Sequence, residues 1–283
     1  MRRLATYLSF VRFSHSVFAL PFALTGALLA WRESPFSWWQ VFWIVVCMVS
    51  ARSAAMGFNR LVDARFDALN PRTAMRELPR GAMTTTEAAI FVLVSSVVFI
   101  AGASRLNTLC LILSPVALAI VFWYSLAKRY TTYTQMFLGL AMAVAPVGGW
   151  IAAGGGPGAE PWLLGLAIGL WVGGFDILYA CQDVAFDRGH GLRSIPARFG
   201  VPASIRLSRV MHVVTVLVMT ALWQVAALPV VYLVGVAIVA LLLAYEQSLV
   251  SDEDLSQVKK AFDLNGYVGI VYFAATALAL YVE

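Results

Sequence analysis

Charge is scarce in this sequence. Only 12% of its 283 residues are Asp, Glu, Lys or Arg, about half the share found in an ordinary soluble domain, while 61% are hydrophobic. That balance excludes a soluble globular fold. Histidine and cysteine are equally few, with three of each. Cys47, Cys110 and Cys181 stand alone, without Cys-x-x-Cys or Cys/His spacing, which argues against a zinc site and a disulfide framework. No Ser/Gly-rich or highly charged linker interrupts the chain, so a single domain over residues 1–283 is expected.

What remains is a succession of apolar stretches of membrane-spanning length. A backbone in hydrocarbon must satisfy its own polar groups, so the expected fold class is all-α, a multi-pass helical bundle. Nine spans are read at Ser14-Ala30, Trp38-Phe58, Glu87-Ser104, Thr108-Leu126, Thr134-Ala152, Trp162-Cys181, Ser208-Ala226, Pro229-Gln247 and Phe262-Val282. The seventh and eighth are divided mainly by Pro229, and one long kinked helix is the alternative there. The first apolar run, behind Arg2 and Arg3, is read as a transmembrane helix because the rest of the chain is just as hydrophobic.

The net charge of +5 does not indicate nucleic acid, because basic residues lie between apolar segments instead of forming one patch. With a cytoplasmic N-terminus, nearly all Lys and Arg collect on one side, from Arg2, Arg3 and Arg12 to Lys259 and Lys260, and only Arg32 and Arg105 fall on the other. Trp38, Trp39, Trp43 and Trp162, near span starts, fit an aromatic belt at the opposite interface.

Two acidic clusters stand out. Asn59, Asp63 and Asp67 recur every four residues and form one stripe on a helix. Asp176, Asp183 and Asp187, spaced by seven and four, are expected to share a helical face in the same way. Both clusters leave the membrane on the cytoplasmic side and are expected to face each other across one cavity. Carboxylates crowded at the edge of a low-dielectric region repel, and a bound cation removes that penalty. Oxygen ligands without His or Cys suit Mg2+, which bridges carboxylates to substrate phosphates. A diphosphate is the implied ligand, with Arg52, Arg65, Arg72, Arg76 and Lys128 available to neutralise its oxygens. The consecutive Asp252, Glu253 and Asp254 cannot form such a stripe and read as a solvated loop.

With these motifs the sequence resembles the UbiA family of intramembrane aromatic prenyltransferases. Asn59, Asp63 and Asp67, followed by Asn70-Pro71-Arg72-Thr73 and Arg76, match its first motif, and Asp176, Tyr179, Asp183 and Asp187 match its second. Tyr124 and Lys128 follow the fourth span as in the family, and Arg52 matches a basic position two turns before the first motif. The resemblance implies nine transmembrane helices and two Mg2+ held by the six motif residues on a polyprenyl diphosphate. It implies Asp63, Asp176, Asp183 and Lys128 as the catalytic set, with Arg52, Arg72, Lys128 and Tyr124 on the diphosphate. Tyr179, Arg76 and His15 are candidates for orienting substrate.

The segment Gly191-Leu192-Arg193-Ser194-Ile195-Pro196-Ala197-Arg198-Phe199-Gly200 resembles the 4-hydroxybenzoate polyprenyltransferase branch. That resemblance implies transfer to a ring carbon of an aromatic acid, in ubiquinone or menaquinone biosynthesis, at the cytoplasmic face of the inner membrane. The same chemistry on 1,4-dihydroxy-6-naphthoate is the alternative acceptor. A cation-coupled transporter is the non-enzymatic alternative, because intramembrane acids also define ion paths.

Overall fold

In the computed structural model the described residues are 6–7, 9–11 and 19–281. They are all-helical, with eleven α-helices: α1 Leu20–Ala30, α2 Trp38–Leu69, α3 Thr85–Leu106, α4 Thr108–Tyr130, α5 Thr134–Ala152, α6 Glu160–Ala180, α7 Val184–Gly189, α8 Ile195–Phe199, α9 Val201–Val225, α10 Val231–Ser248 and α11 Val258–Tyr281. Eight helices are long and apolar enough to cross a membrane, α6 and α7 counting as one through the turn that joins them, and α1 is a shorter apolar helix. His15 and the start of the first expected span lie outside the described residues.

Local signals set several boundaries. Thr84 and Glu87 form a reciprocal capping box at the start of α3, and Asn107 accepts from the Cys110 amide to start α4. Prolines open α1, α6 and α9, where the first-turn amides need no helical partner. Between α9 and α10, Ala227 takes a positive φ of 45° ahead of Pro229. Two helices therefore stand where one long kinked helix was the alternative.

At the first acidic cluster the expected helical stripe is present: α2 continues unbroken past Phe58 to Leu69, 32 residues in all. At about 1.5 Å per residue it is about 48 Å long, well beyond a hydrocarbon core of about 30 Å, so its last turns carry the Asn59 stripe to the membrane edge. At the second cluster the helix does break. A 3-10 turn over Cys181–Asp183 separates α6 from α7, so Asp176 and Asp187 do not lie on one continuous α-helical face.

Helix α6 is the most enclosed span and packs against α5 and α9; α2 packs on α3 and α4, α1 on α5, and α10 on α11. Lipid supplies no hydrophobic drive for helix association, so close van der Waals approach has to hold such contacts. At the α1–α5 crossing the Gly149 Cα faces the Ala23 carbonyl, where an added methyl group would collide with the oxygen, and Gly26 meets Pro146 in the same way. Phe22, Trp171, Phe175 and Tyr272 fill the centre of the bundle. Two buried polar pairs lie there: Trp171 Nε1 donates to Asn265 Oδ1 at 2.7 Å, and the Tyr232 and Tyr272 hydroxyls lie 2.6 Å apart.

Candidate active site

One cavity of about 950 Å3 enters between the ends of α2, α4 and α6. Its upper part is lined by all six residues of the two motifs, Asn59, Asp63, Asp67, Asp176, Asp183 and Asp187, with Arg72, Arg76, Lys128 and Tyr179, and Arg52 and Tyr124 line the wall below. The two clusters thus meet across one space, as their spacing predicts, although the second reaches it through a turn. Below the rim the walls become apolar, through Ala51, Met48 and Ile44 on α2, Ala103 on α3, Cys110 on α4 and Ile151 on α5. Asp63 and Ile44 are nineteen residues apart on α2, so the cavity descends about 28 Å into the bundle.

The carboxylates are closely tied to cations. Lys128 Nζ lies 2.5 Å from Asp63 Oδ2, and Arg129 donates to Oδ1 of the same residue at 2.9 Å. Arg76 donates to both oxygens of Asp67 at 2.8 Å. Arg72 crosses from the loop after α2 to Asp183, and its Nη1 donates to the Tyr179 hydroxyl at 3.0 Å. Burial works against the charge of the Arg72 guanidinium, but the adjoining Asp183 carboxylate more than offsets it and holds the pKa above the ordinary value. Ser194, which caps α8, donates to Asp187 at 2.8 Å. Asp176 has no ion pair among the described residues.

Arg65 does not belong to this site: it is exposed and away from the cavity. On α2 it sits half a turn from Asp63, and so it points outward. Arg129 was not singled out by sequence. It follows Lys128 directly, and adjacent helical positions diverge by about 100°, so nothing in the pattern places both cations on Asp63. They meet there because each approaches a different carboxylate oxygen. Asn70 was quoted only as motif context, yet it donates to Asp183 at 3.4 Å and accepts from the Arg72 amide at 3.0 Å.

Among the described residues, no three His, Cys, Asp or Glu side chains converge as a ready-made metal cage. The donor set nonetheless fits Mg2+, which takes one or two carboxylates and completes its shell with water and substrate phosphate. Facing carboxylates on α2 and after α6 supply such donors, and the neighbouring cations suit phosphate oxygens.

A cavity with a charged mouth and an apolar shaft accepts an amphiphile, and in an all-helical membrane bundle it defines an intramembrane enzyme for lipid-tailed substrates. The chain belongs to the UbiA prenyltransferase family, which it matches over residues 19–276. It is an integral-membrane aromatic prenyltransferase. It is 31% identical to a 4-hydroxybenzoate octaprenyltransferase of Enterobacter sp. (strain 638), over 81% of this chain and 78% of that protein. With the enzyme of that name from Vibrio parahaemolyticus it shares 32% identity, over 83% and 82% of the two chains. The apo structure of a UbiA homolog from Aeropyrum pernix K1 superimposes with a TM-score of 0.87 at 36% identity, covering 94% of this chain and 98% of that one. A UbiA homolog from Archaeoglobus fulgidus, bound to GPP and Mg2+, shares the fold with a TM-score of 0.70 at 18% identity, over 96% and 99% of the chains.

Proposed function

We propose that this enzyme transfers a polyprenyl group from its diphosphate to a ring carbon of 4-hydroxybenzoate, in the making of a quinone. The observation that carries the reading is the continuity of the cavity, which descends about 28 Å from an acid-and-cation rim to apolar walls. The rim suits Mg2+ and a diphosphate; the shaft suits an isoprenyl tail. The prenyl diphosphate and Mg2+ of the Archaeoglobus fulgidus homolog and the names of the bacterial relatives support the same reading.

In this reading Asn59, Asp63, Asp67, Asp176, Asp183 and Asp187 hold two Mg2+, which when bound stabilise negative charge on the departing diphosphate. Lys128 and Arg72 bond to diphosphate oxygens, with Arg76 and Tyr179 setting the position of Arg72's side of the rim. Ionisation of the donor leaves an allylic cation at the head of the tail, within reach of the acceptor ring. The phenol oxygen of the acceptor donates into the ring and activates the neighbouring carbon for attack; loss of a proton then restores aromaticity.

Arg52 is assigned to the acceptor in place of the diphosphate contact that the family resemblance implies. It lies seven residues before Asn59 on α2, about 10 Å deeper, and its buried Nε has no hydrogen-bond partner. Buried donors of this kind ask for a partner, and the carboxylate of an aromatic acid provides one. Tyr124 lines the same wall. Together with the eight long spans, the shorter apolar helix α1 makes a count of nine, with the N-terminus and the rim on the cytoplasmic side of the inner membrane, as the distribution of Lys and Arg favours.

The decisive experiment incubates the purified protein with Mg2+, prenyl diphosphates of several lengths and either 4-hydroxybenzoate or 1,4-dihydroxy-6-naphthoate, followed by mass measurement of products. Prenylated hydroxybenzoate is the expected product. Turnover of the naphthoate alone would transfer the proposal to that acceptor, and failure with every aromatic acid would reject it. Chelation of divalent cations is expected to stop the reaction, and activity that survives chelation would remove the metal from the scheme.

A further inference from the structure

Four cations rest on the acidic rim, and the three that reach Asp63 and Asp183 are held in two different ways. Arg129 donates to Asp63 Oδ1, to the Val62 carbonyl at 2.6 Å and to the Ser125 carbonyl at 3.2 Å, with its guanidinium 5.5 Å from the centre of the Phe66 ring. It is fixed to both α2 and α4 and is not part of the cavity wall. Lys128 lies in that wall, holds Asp63 Oδ2 through its ammonium alone, and is 27% exposed. Arg72 also lines the cavity, and its fork on Asp183 is 35% exposed.

We infer that Lys128 and Arg72 are exchangeable counter-ions, which leave Asp63 and Asp183 for the diphosphate when divalent cations take those carboxylate oxygens, while Arg129 stays on Asp63 as a fixed anchor. The inference rests on the reading of the rim as a metal and diphosphate site. A divalent cation held by the Asp63 carboxylate would compete with the Lys128 ammonium, because like charges within a few ångströms repel. The four-carbon stem of lysine lets Nζ swing away. Arg129, tied to two backbone carbonyls, has no such freedom and stays on Asp63 Oδ1. Metal and donor then assist one another's binding, because the diphosphate gives the displaced cations a new partner.

The test uses Mn2+ as a paramagnetic stand-in, titrated into the full-length protein in lipid nanodiscs, with free Mn2+ followed by electron paramagnetic resonance. Without any donor, Lys128→Met and Arg72→Gln are expected to bind Mn2+ about tenfold tighter than the wild type. The same two variants are expected to bind a thiolo analogue of geranyl diphosphate about tenfold more weakly. Arg129→Met removes the same charge from the same carboxylate, yet is expected not to tighten Mn2+ binding. Each variant is compared at matched helicity and melting temperature, and Lys128→Arg serves if Lys128→Met does not fold, with Mn2+ affinity expected to stay at the wild-type value. Equal tightening in Lys128→Met and Arg129→Met would reduce the effect to loss of nearby charge and overturn the exchange. So would wild-type Mn2+ binding that neither Lys128→Met nor Arg72→Gln tightens. A wild-type protein that binds no Mn2+, with or without the analogue, would overturn the site reading and the exchange together.

Discussion

Arg72 and Asp183, 111 residues apart, form a two-pronged pair: Nε donates to Oδ1 at 3.2 Å and Nη2 to Oδ2 at 2.5 Å. It joins the loop after the first acidic stripe to the turn that carries the second, with a longer contact from Asn70 to the same carboxylate, and so holds the two halves of the rim in register. Only a planar fork spans both oxygens. Arg72→Lys keeps the charge and loses the fork, both on Asp183 and on the diphosphate oxygens it is proposed to take up. Steady-state assays are expected to find kcat/KM for the donor lowered by about 10- to 100-fold, with helicity unchanged. Wild-type kinetics would show that charge alone suffices there.

Asp176 and Asp63 both line the cavity but differ in what they hold. Asp176 has no ion pair among the described residues, so Asp176→Asn leaves no cation unpaired; Asp63→Asn removes the ionic partner of both Lys128 and Arg129. Both substitutions are expected to lower transfer by about 100-fold or more. Only Asp63→Asn is expected to lower stability, by about 1–2 kcal/mol, the partial exposure of its partners softening the loss. Thermal melting in detergent beside the activity assay separates the two. Equal melting temperatures would remove the structural role from the Asp63 cluster.

Much of this site was legible before folding because its signals are local. The four-residue step of Asn59, Asp63 and Asp67 fixes a helical stripe whatever the helix packs against, and Thr134-Ala152 matches α5 to the residue because apolar composition and breakers agree at both ends. What escaped depends on contacts between distant segments. The turn at Cys181–Asp183 has no Gly or Pro to announce it. Arg129 looked like one more cytoplasmic charge, and its role comes from where α4 crosses α2.

The α1–α5 crossing gives a stability test far from the charged rim. Gly149 brings α5 against the Ala23 carbonyl with no room for a side chain, and the contact is backbone, which cannot rotate aside. Gly149→Leu is expected to destabilise the bundle by about 1–3 kcal/mol, read as a lower melting temperature. A lesser loss is expected from Gly148→Leu, its neighbour, where an added Cβ meets open space. Equal effects at the two positions would argue against close packing as the cause.

Arg52 gives the sharpest test of the acceptor. Its position, about 10 Å below Asn59, separates it from the cations that reach the rim carboxylates, and burial leaves its Nε without a hydrogen-bond partner. A diphosphate held at the rim by Lys128 and Arg72 does not need it, whereas an aromatic acid entering beside the allylic carbon has a carboxylate to place. If that is its role, Arg52→Met should raise the KM for 4-hydroxybenzoate by about tenfold or more, as loss of a charge-assisted hydrogen bond does, and leave the KM for the donor near its wild-type value. The penalty should shrink for a phenol that has no carboxylate, because the substrate then has nothing for the guanidinium to hold. A rise in donor KM with acceptor KM unchanged would return Arg52 to the diphosphate, and it would leave the acceptor's carboxylate to be sought elsewhere on the cavity wall.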